Sequence, residues 1–299
     1  MSNYHKFETL SEVHRAFGLP KPQHPLISLI NNKDNQIELA RFPYSHILSF
    51  YKISYRKKLI GKLKYGQDYY DFDEGGLLFA SPQQVIGNGD DNGDHSGYSL
   101  LIHPDFLWNY PLAKKIKQYG FFSYATNEAL HLSDSEKATV ISIFKLIEEE
   151  LNSRIDDFSQ DVIISQIELL LNCSNRFYKR QFITRKAVSK DLLLKLEELL
   201  EEYFNQSLIK GIPTVQYLSE QLNTSPSYLS DMLRSLTGQN TQQHIHNKLI
   251  EKAKEKLSAT SLSVSEIAYE LGFEHSQSFN KLFKTKTNLS PLAFRRSFN

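Results

Sequence analysis

Two hydrophobic periodicities divide the chain. Between residues 26 and 101 the apolar residues come in short runs rich in Ile, Leu, Tyr and Phe, such as 27–30, 47–54 and 77–81. Gly66, Gly75-Gly76, Pro82 and the turn-rich stretch 87–97 separate them. Runs of this length and spacing predict the strands of an antiparallel sandwich or small barrel. From Ser133 onward the step becomes three and four residues, the repeat of an amphipathic helix. Ser133 and Glu136 form a capping box ahead of Val140, Ile143, Phe144, Ile147 and Leu151. A longer helix starting at Ser159 carries Ile163, Ile167, Leu170, Leu171, Ser174 and Phe177, and another over 190–204 carries Leu192, Leu196, Leu199, Leu200 and Tyr203. Residues 1–24, with Pro20 and Pro22 and no sustained period, predict an irregular lead-in with one short helix. Leu107-Trp108 and the run 120–124 are apolar enough to pack on the sheet.

Beyond residue 205 the same layout occurs twice. In the second copy, 263–285, a capping box (Ser263, Glu266) opens a helix with the stripe Val264, Ile267, Ala268 and Leu271. Gly272 supplies positive φ where the chain must leave that helix, and Phe273 can fold back on the stripe. Phe279, Leu282 and Phe283 then bury one face of the following helix, leaving Ser276, Gln277, Asn280, Lys281 and Lys284 on the other. In the first copy, 214–238, the stripe is Val215, Leu218 and Leu222, and Asn223 stands at the turn. Ser225-Pro226 starts the second helix, whose buried face is Leu229, Met232, Leu233 and Leu236. Each copy reads as a helix-turn-helix. Between them, 241–257 predicts one helix with Ile245, Leu249, Ala253 and Leu257 at a four-residue step. Its length of about 25 Å suits two recognition helices on one face of a duplex, about 34–36 Å apart. The fold class is therefore α+β, with an N-terminal antiparallel β domain (1–132), a helical segment (133–180), a linker (181–189) and an all-α domain (190–299).

Residues 190–299 resemble the DNA-binding domain of the AraC/XylS family of bacterial transcription regulators. The resemblance rests on 218–222, 225–229, Ala253 with Leu257, 264–268, 271–273, 279–284, Ser290-Pro291 and Phe294-Arg295. It implies that the second helix of each unit enters the major groove of promoter DNA. Ser227, Ser230, Asp231 and Arg234 would then be the contact residues of the first unit, and Ser276, Gln277, Asn280 and Lys281 those of the second; spacing on the same helix puts Lys284 near the backbone. Lys248 and Lys281 stand where the family often has arginine, Asp231 where a cation is frequent, and Asn288 where glycine is common. The carboxylate of Asp231 repels phosphate and can accept only from a cytosine amino group. The resemblance further implies a cupin-like sensor in 1–132 that binds a small-molecule effector, homodimerisation through 133–180, and contact with RNA polymerase if the protein activates transcription. Stretches 65–69 and 75–82 match the sensor's loop-and-strand rhythm loosely.

Composition adds limits. With 299 residues, 40% of them apolar, the chain can bury two cores. No run approaches 18 apolar residues and the N-terminus is polar, which predicts neither a signal peptide nor a membrane span. The single cysteine, Cys173, lies in an apolar helical run, predicting an inert buried thiol in a reducing cytoplasm. Net charge is only +1, but from residue 205 onward eleven cations face seven acids, a modest excess that implies few phosphate contacts. Arg176, Lys179, Arg180, Arg185, Lys186 and Lys190 form an acid-free stretch read as a solvated linker.

A cupin enzyme would need His-x-His on a strand. No two of His5, His14, His24, His46, His95, His103 and His131 are two apart, and His244 and His246 fall on a helix, where a two-residue step separates the rings. No phosphate loop, serine elbow or CxxC occurs either. The expectation is a protein that is not an enzyme and has no cofactor and no metal site. Tyr51, Tyr55, Tyr65, Tyr69, Tyr70, Phe72 and Phe79 concentrate in the strand region, chiefly as core, with the option of lining a ligand cavity.

Overall fold

The structure is a computed structural model, and it describes residues 5–32, 46–57, 63–65, 68–70, 75–86, 96–125, 128–154, 156–184, 186–205 and 211–297, with side chains left aside at 63–65, 68–70 and 186–188. The chain divides into two compact units, Met1–Thr184 and Arg185–Asn299.

In the first unit the strands are β1 (His5–Phe7), β2 (Ile27–Asn32), β3 (His46–Leu48), β4 (Tyr51–Arg56), β5 (Leu63–Tyr65), β6 (Asp68–Tyr70), β7 (Gly76–Ala80), β8 (Val85–Ile86), β9 (Gly97–Ile102) and β10 (Leu130–His131). An antiparallel five-stranded sheet has the order β10-β7-β4-β9-β2, and a three-stranded sheet has the order β1-β3-β8. β1 runs parallel to β3, so the unit is not purely antiparallel, and the lead-in contributes a strand too short to show a period. Thr9 and Glu12 form a capping box for α1 (Leu10–Ala16).

Alternation along β4 sorts the large sheet into two faces. Tyr51 and Ile53, together with Phe79 of β7 and Leu100 and Ile102 of β9, are buried against a helical layer. There Phe122 meets Tyr51 and Phe79 at ring separations of 5.1 and 5.4 Å, and Tyr98 stacks on Phe144 at 5.2 Å. The strand aromatics Tyr51 and Phe79 are thus core, while Tyr65, Tyr69, Tyr70 and Phe72 lie outside the residues with described side chains. The opposite face carries Lys52, Ser54 and Arg56 of β4 beside Ser99 and Leu101 of β9. It looks toward a cluster of Phe7, Leu10, Val13, Leu48 and Phe50.

Leu107 is buried but Trp108 is 77% exposed, contrary to the expected packing of both. The short α2 (Leu112–Lys115) follows, then α3 (Asp134–Asn152) and α4 (Ser159–Thr184), which pack on each other. Arg180 of α4 pairs with Glu136 at 2.6 Å and donates to the His131 carbonyl at 2.8 Å, while buried Gln181 accepts from the His131 N–H at 2.8 Å. These bonds fasten the end of α4 to β10. Cys173 is half-buried rather than buried, with burial pushing its thiol pKa up.

α4 continues to Thr184 and α5 (Lys186–Phe204) starts at residue 186, so the stretch expected as a linker, 181–189, is helical on both sides of residue 185. It contains no Gly or Pro to stop a helix, and Gln181 and Phe182 are buried. The second unit continues with α6 (Val215–Gln221), α7 (Pro226–Thr237), α8 (Thr241–Ala259), α9 (Val264–Glu270), α10 (Ser276–Thr287) and α11 (Pro291–Arg296).

Both α6 and α9 end in the same hydrogen-bonded stop. Thr224 donates to the Ser219 carbonyl at 2.9 Å and Asn223 to Glu220 at 3.2 Å; Phe273 donates to Ala268 and Gly272 to Tyr269, both at 3.0 Å. The turn residues have φ of +52° at Asn223 and +87° at Gly272. At Gly272 a second constraint applies, because a Cβ there would lie 2.5 Å from the backbone carbonyl of Gly211. Gly272→Ala should therefore cost about 1–3 kcal/mol, read as a lower urea midpoint of the full chain. An unchanged midpoint would show that the turn is not held this closely.

Candidate nucleic-acid interface

The two units share their local construction. The Ser225 hydroxyl caps α7 by accepting from the Tyr228 N–H at 3.2 Å, Pro226 occupies the first turn, and Gly238 ends the helix at φ +76°. Tyr228, Leu229, Met232 and Leu233 are buried, which turns Ser227, Ser230, Asp231 and Arg234 outward. In the second unit the capping box of Ser263 and Glu266 is present, with the Glu266 carboxylate pulled below its ordinary pKa by the Ser263 backbone N–H. Phe279 and Phe283 are buried in α10, and Asn288 closes it in the left-handed region at φ +60°. Asn, tolerated there better than other side chains, does the work of the glycine it replaces. Leu282, Leu222 and Leu236, expected to be buried, are half-buried.

α8 carries both units. Its N-terminus is closed by a capping box of Asn240 and Gln243, and Ile245, Leu249, Ala253 and Leu257 are buried along one stripe. Its Lys248 pairs with Glu201 of α5 at 2.6 Å, and Lys252 of the same helix also bonds Glu201. Hydrogen bonds from Lys248, Lys252 and Asn205 hold the Glu201 carboxyl down to about 2. Phe294 of α11 meets Phe283 at 5.5 Å, joining the last helix to the second unit.

The outward faces of α7 and α10 differ. On α7 the Ser230 hydroxyl is hydrogen-bonded to Thr241 at 2.9 Å, and Asp231 pairs with Arg234 at 2.8 Å. Ser227 is half-buried. Much of the polar face of α7 is thus engaged within the domain, and its one cation is partly neutralised by its neighbour. On α10, Gln277, Asn280, Lys281 and Lys284 are exposed, and their side chains make no hydrogen bond or ion pair among the described residues; Ser276, at the edge, is half-buried. Spacing identified the outward residues of α10, and the family resemblance implied those of α7. It could not reveal that Ser230 would meet Thr241 from another helix, whereas the i, i+3 placement of Asp231 and Arg234 was available as a signal.

Two neighbouring features were not singled out from sequence. Lys286 of α10 reaches Asn247 of α8 at 3.3 Å, and Lys254 lies 5.8 Å from the Phe294 ring centre as a cation–π contact. Their cations supplement the positive potential of this unit.

A family profile described as a helix-turn-helix domain matches residues 218–297. An uncharacterized HTH-type transcriptional regulator in the cgkA 5′ region of Pseudoalteromonas carrageenovora is 27% identical over 171 residues, 57% of this chain and 96% of that protein. The HTH-type transcriptional activator RhaS of Escherichia coli is 28% identical over 149 residues, half of each chain. The C-terminal domain of the response regulator yesN from Fusobacterium nucleatum is 32% identical, with a TM-score of 0.31, covering 35% of this chain and 98% of that one. The paired units built on α6–α7 and α9–α10 and the matching profile make the C-terminal region a helix-turn-helix DNA-binding domain of the AraC type, that of transcription regulators.

Proposed function

We propose that the chain is a cytoplasmic, sequence-specific transcription regulator that binds promoter duplex DNA as a homodimer and responds to a small molecule in its N-terminal unit. The observation that carries the DNA-reading part is the outward face of α10. Gln277 and Asn280 present amide groups that can pair bidentately with adenine, and Lys281 can reach guanine. With no internal partners among the described residues, these side chains need give up only water to meet a base edge. Ser276 and Lys284 flank them and suit phosphate. α7, through Ser227, Ser230, Asp231 and Arg234, contributes a weaker contact. If the regulator activates transcription, RNA polymerase is a further partner.

For dimerisation the support is an exposed apolar stripe on α4. Ile167 and Leu171, on the apolar stripe of the segment 133–180 that the resemblance implies for dimerisation, are fully buried, because the same period that would make a dimer seam packs α4 on α3. The exposed positions are instead Val162 at 39% and Leu169 at 48% on α4, with Phe158, in the turn just before it, at 71%. Tyr110 donates to the Asp161 carboxylate and Gln160 to the Phe106 carbonyl, which brings the segment bearing exposed Trp108 alongside the start of α4. Apolar groups gathered in this way on one surface favour a partner of the same kind, and a two-fold dimer satisfies that with one patch.

Two experiments follow. Gln277→Ala should lose about 1–3 kcal/mol on the preferred duplex and little on scrambled DNA, whereas Lys284→Ala should weaken both alike and lower the salt slope by about one. Titration at two salt concentrations separates them, and equal losses for Gln277→Ala on both duplexes would mean that α10 does not read bases there. For the dimer, Phe158→Glu with Leu169→Glu should give a folded monomer by sedimentation. An unchanged mass would remove α4 from the interface.

A further inference from the structure

Between the five-stranded sheet of the first unit and the layer of α1 and β3 lies a cavity of about 90 Å³ whose walls differ in character. One wall is apolar and includes Val13, Phe17 and Leu48. The other is the inner face of β4 and β9, where Lys52, Ser54 and Arg56 follow one another on alternate residues of one strand. Ser54 is paired across the sheet with Ser99, their hydroxyls 3.0 Å apart, and Arg56 is paired with Gly97. Small side chains in the middle of the wall leave the space open, and a cation stands at either side of it. Among the described residues the lining contains no carboxylate, and Lys52 makes no hydrogen bond or ion pair.

A lysine between packed sheets without a counter-charge is costly to the fold, since burial penalises the charged form and a second cation adds repulsion. Both effects are present, in that order of size: burial and the Arg56 charge push the Lys52 ammonium down to about 8. It still carries most of its charge at neutral pH. Nothing in sheet construction requires it, because an aliphatic residue at this position would fill the same wall at no electrostatic cost.

From this arrangement we infer that the cavity binds a small organic anion, with a carboxylate or phosphate head held by Lys52 beside Arg56 and the Ser54–Ser99 hydroxyls, and an apolar body against Val13, Phe17 and Leu48. The inference rests on the reading of the first unit as the effector domain and gives that effector a chemical class. Binding would supply Lys52 with a counter-charge that none of the described residues offers, and a charge-assisted contact at this half-buried place discriminates against a neutral molecule of the same shape.

The test uses the full chain in calorimetric titration, with 4-methylpentanoate and phenyl phosphate as anionic probes and 4-methylpentanamide as the neutral counterpart. At least one anion should bind saturably at neutral pH, its identity distinguishing a carboxylate source from a phosphate source, and the amide should not bind. Lys52→Met and Lys52→Gln, either of which suffices if folded, should weaken that anion at least about tenfold, while Lys52→Arg should retain it. Equal binding of amide and acid, undiminished binding by the neutral variants, or no binding of either anion by the folded parent would overturn the assignment. The same preparations are scored for shifting duplex DNA. A chain that shifts DNA but takes up no anion refutes this inference alone, and one that takes up anion but never shifts DNA refutes the regulator reading alone.

Discussion

The buried stripe of α8 is the constraint on which the DNA-binding unit depends. Ile245, Leu249, Ala253 and Leu257 are at most 2% exposed, and α8 packs against α5, α7, α9, α10 and α11. Each large side chain in that stripe is worth about 1.5–3 kcal/mol by burial. Neither helix-turn-helix could bury its own stripe alone, since α6 and α9 are only seven residues long. The Glu201 pairs with Lys248 and Lys252 then fix α5 to the same helix. The orientation of both outward faces is inherited from one rod of about 28 Å, whose 19 residues are closed at the start by Asn240 and Gln243.

Similar scaffolds present dissimilar surfaces. Engaged as they are, Ser230, Asp231 and Arg234 would have to exchange internal bonds for DNA contacts, and the exchange returns little net energy. Gln277, Asn280, Lys281 and Lys284 have no such prior commitment among the described residues. A duplicated fold can in this way hold DNA with one copy and read it chiefly with the other.

Local chemistry was legible in the sequence wherever a single short segment decides it. The capping boxes at Ser133 and Ser263, the Ser225-Pro226 start and the positive φ at Asn223 and Gly272 all follow from residue type and neighbours within five positions. What escaped depends on partners distant in sequence. Period alone could not say whether Ile167 and Leu171 face α3 or a second chain, and apolar content placed Trp108 with Leu107 although only the latter turns inward. The strand at His5–Phe7 exists because β3 offers it an edge, and Lys52 became notable only when β4 put it on the inner face with Arg56. The aromatics of the strand region read chiefly as core, and Tyr51 and Phe79 are so, packed on Phe122 on the side of the sheet away from Lys52.

On this reading two unequal recognition helices on one rigid helix read a single stretch of duplex. Selection of bound sequences from a random duplex pool by the purified chain tests it most directly. One strongly specified short element, assigned to α10, should be enriched, with a second and more degenerate element about one helical turn away. No enrichment over the starting pool, or two elements of equal information, would contradict it.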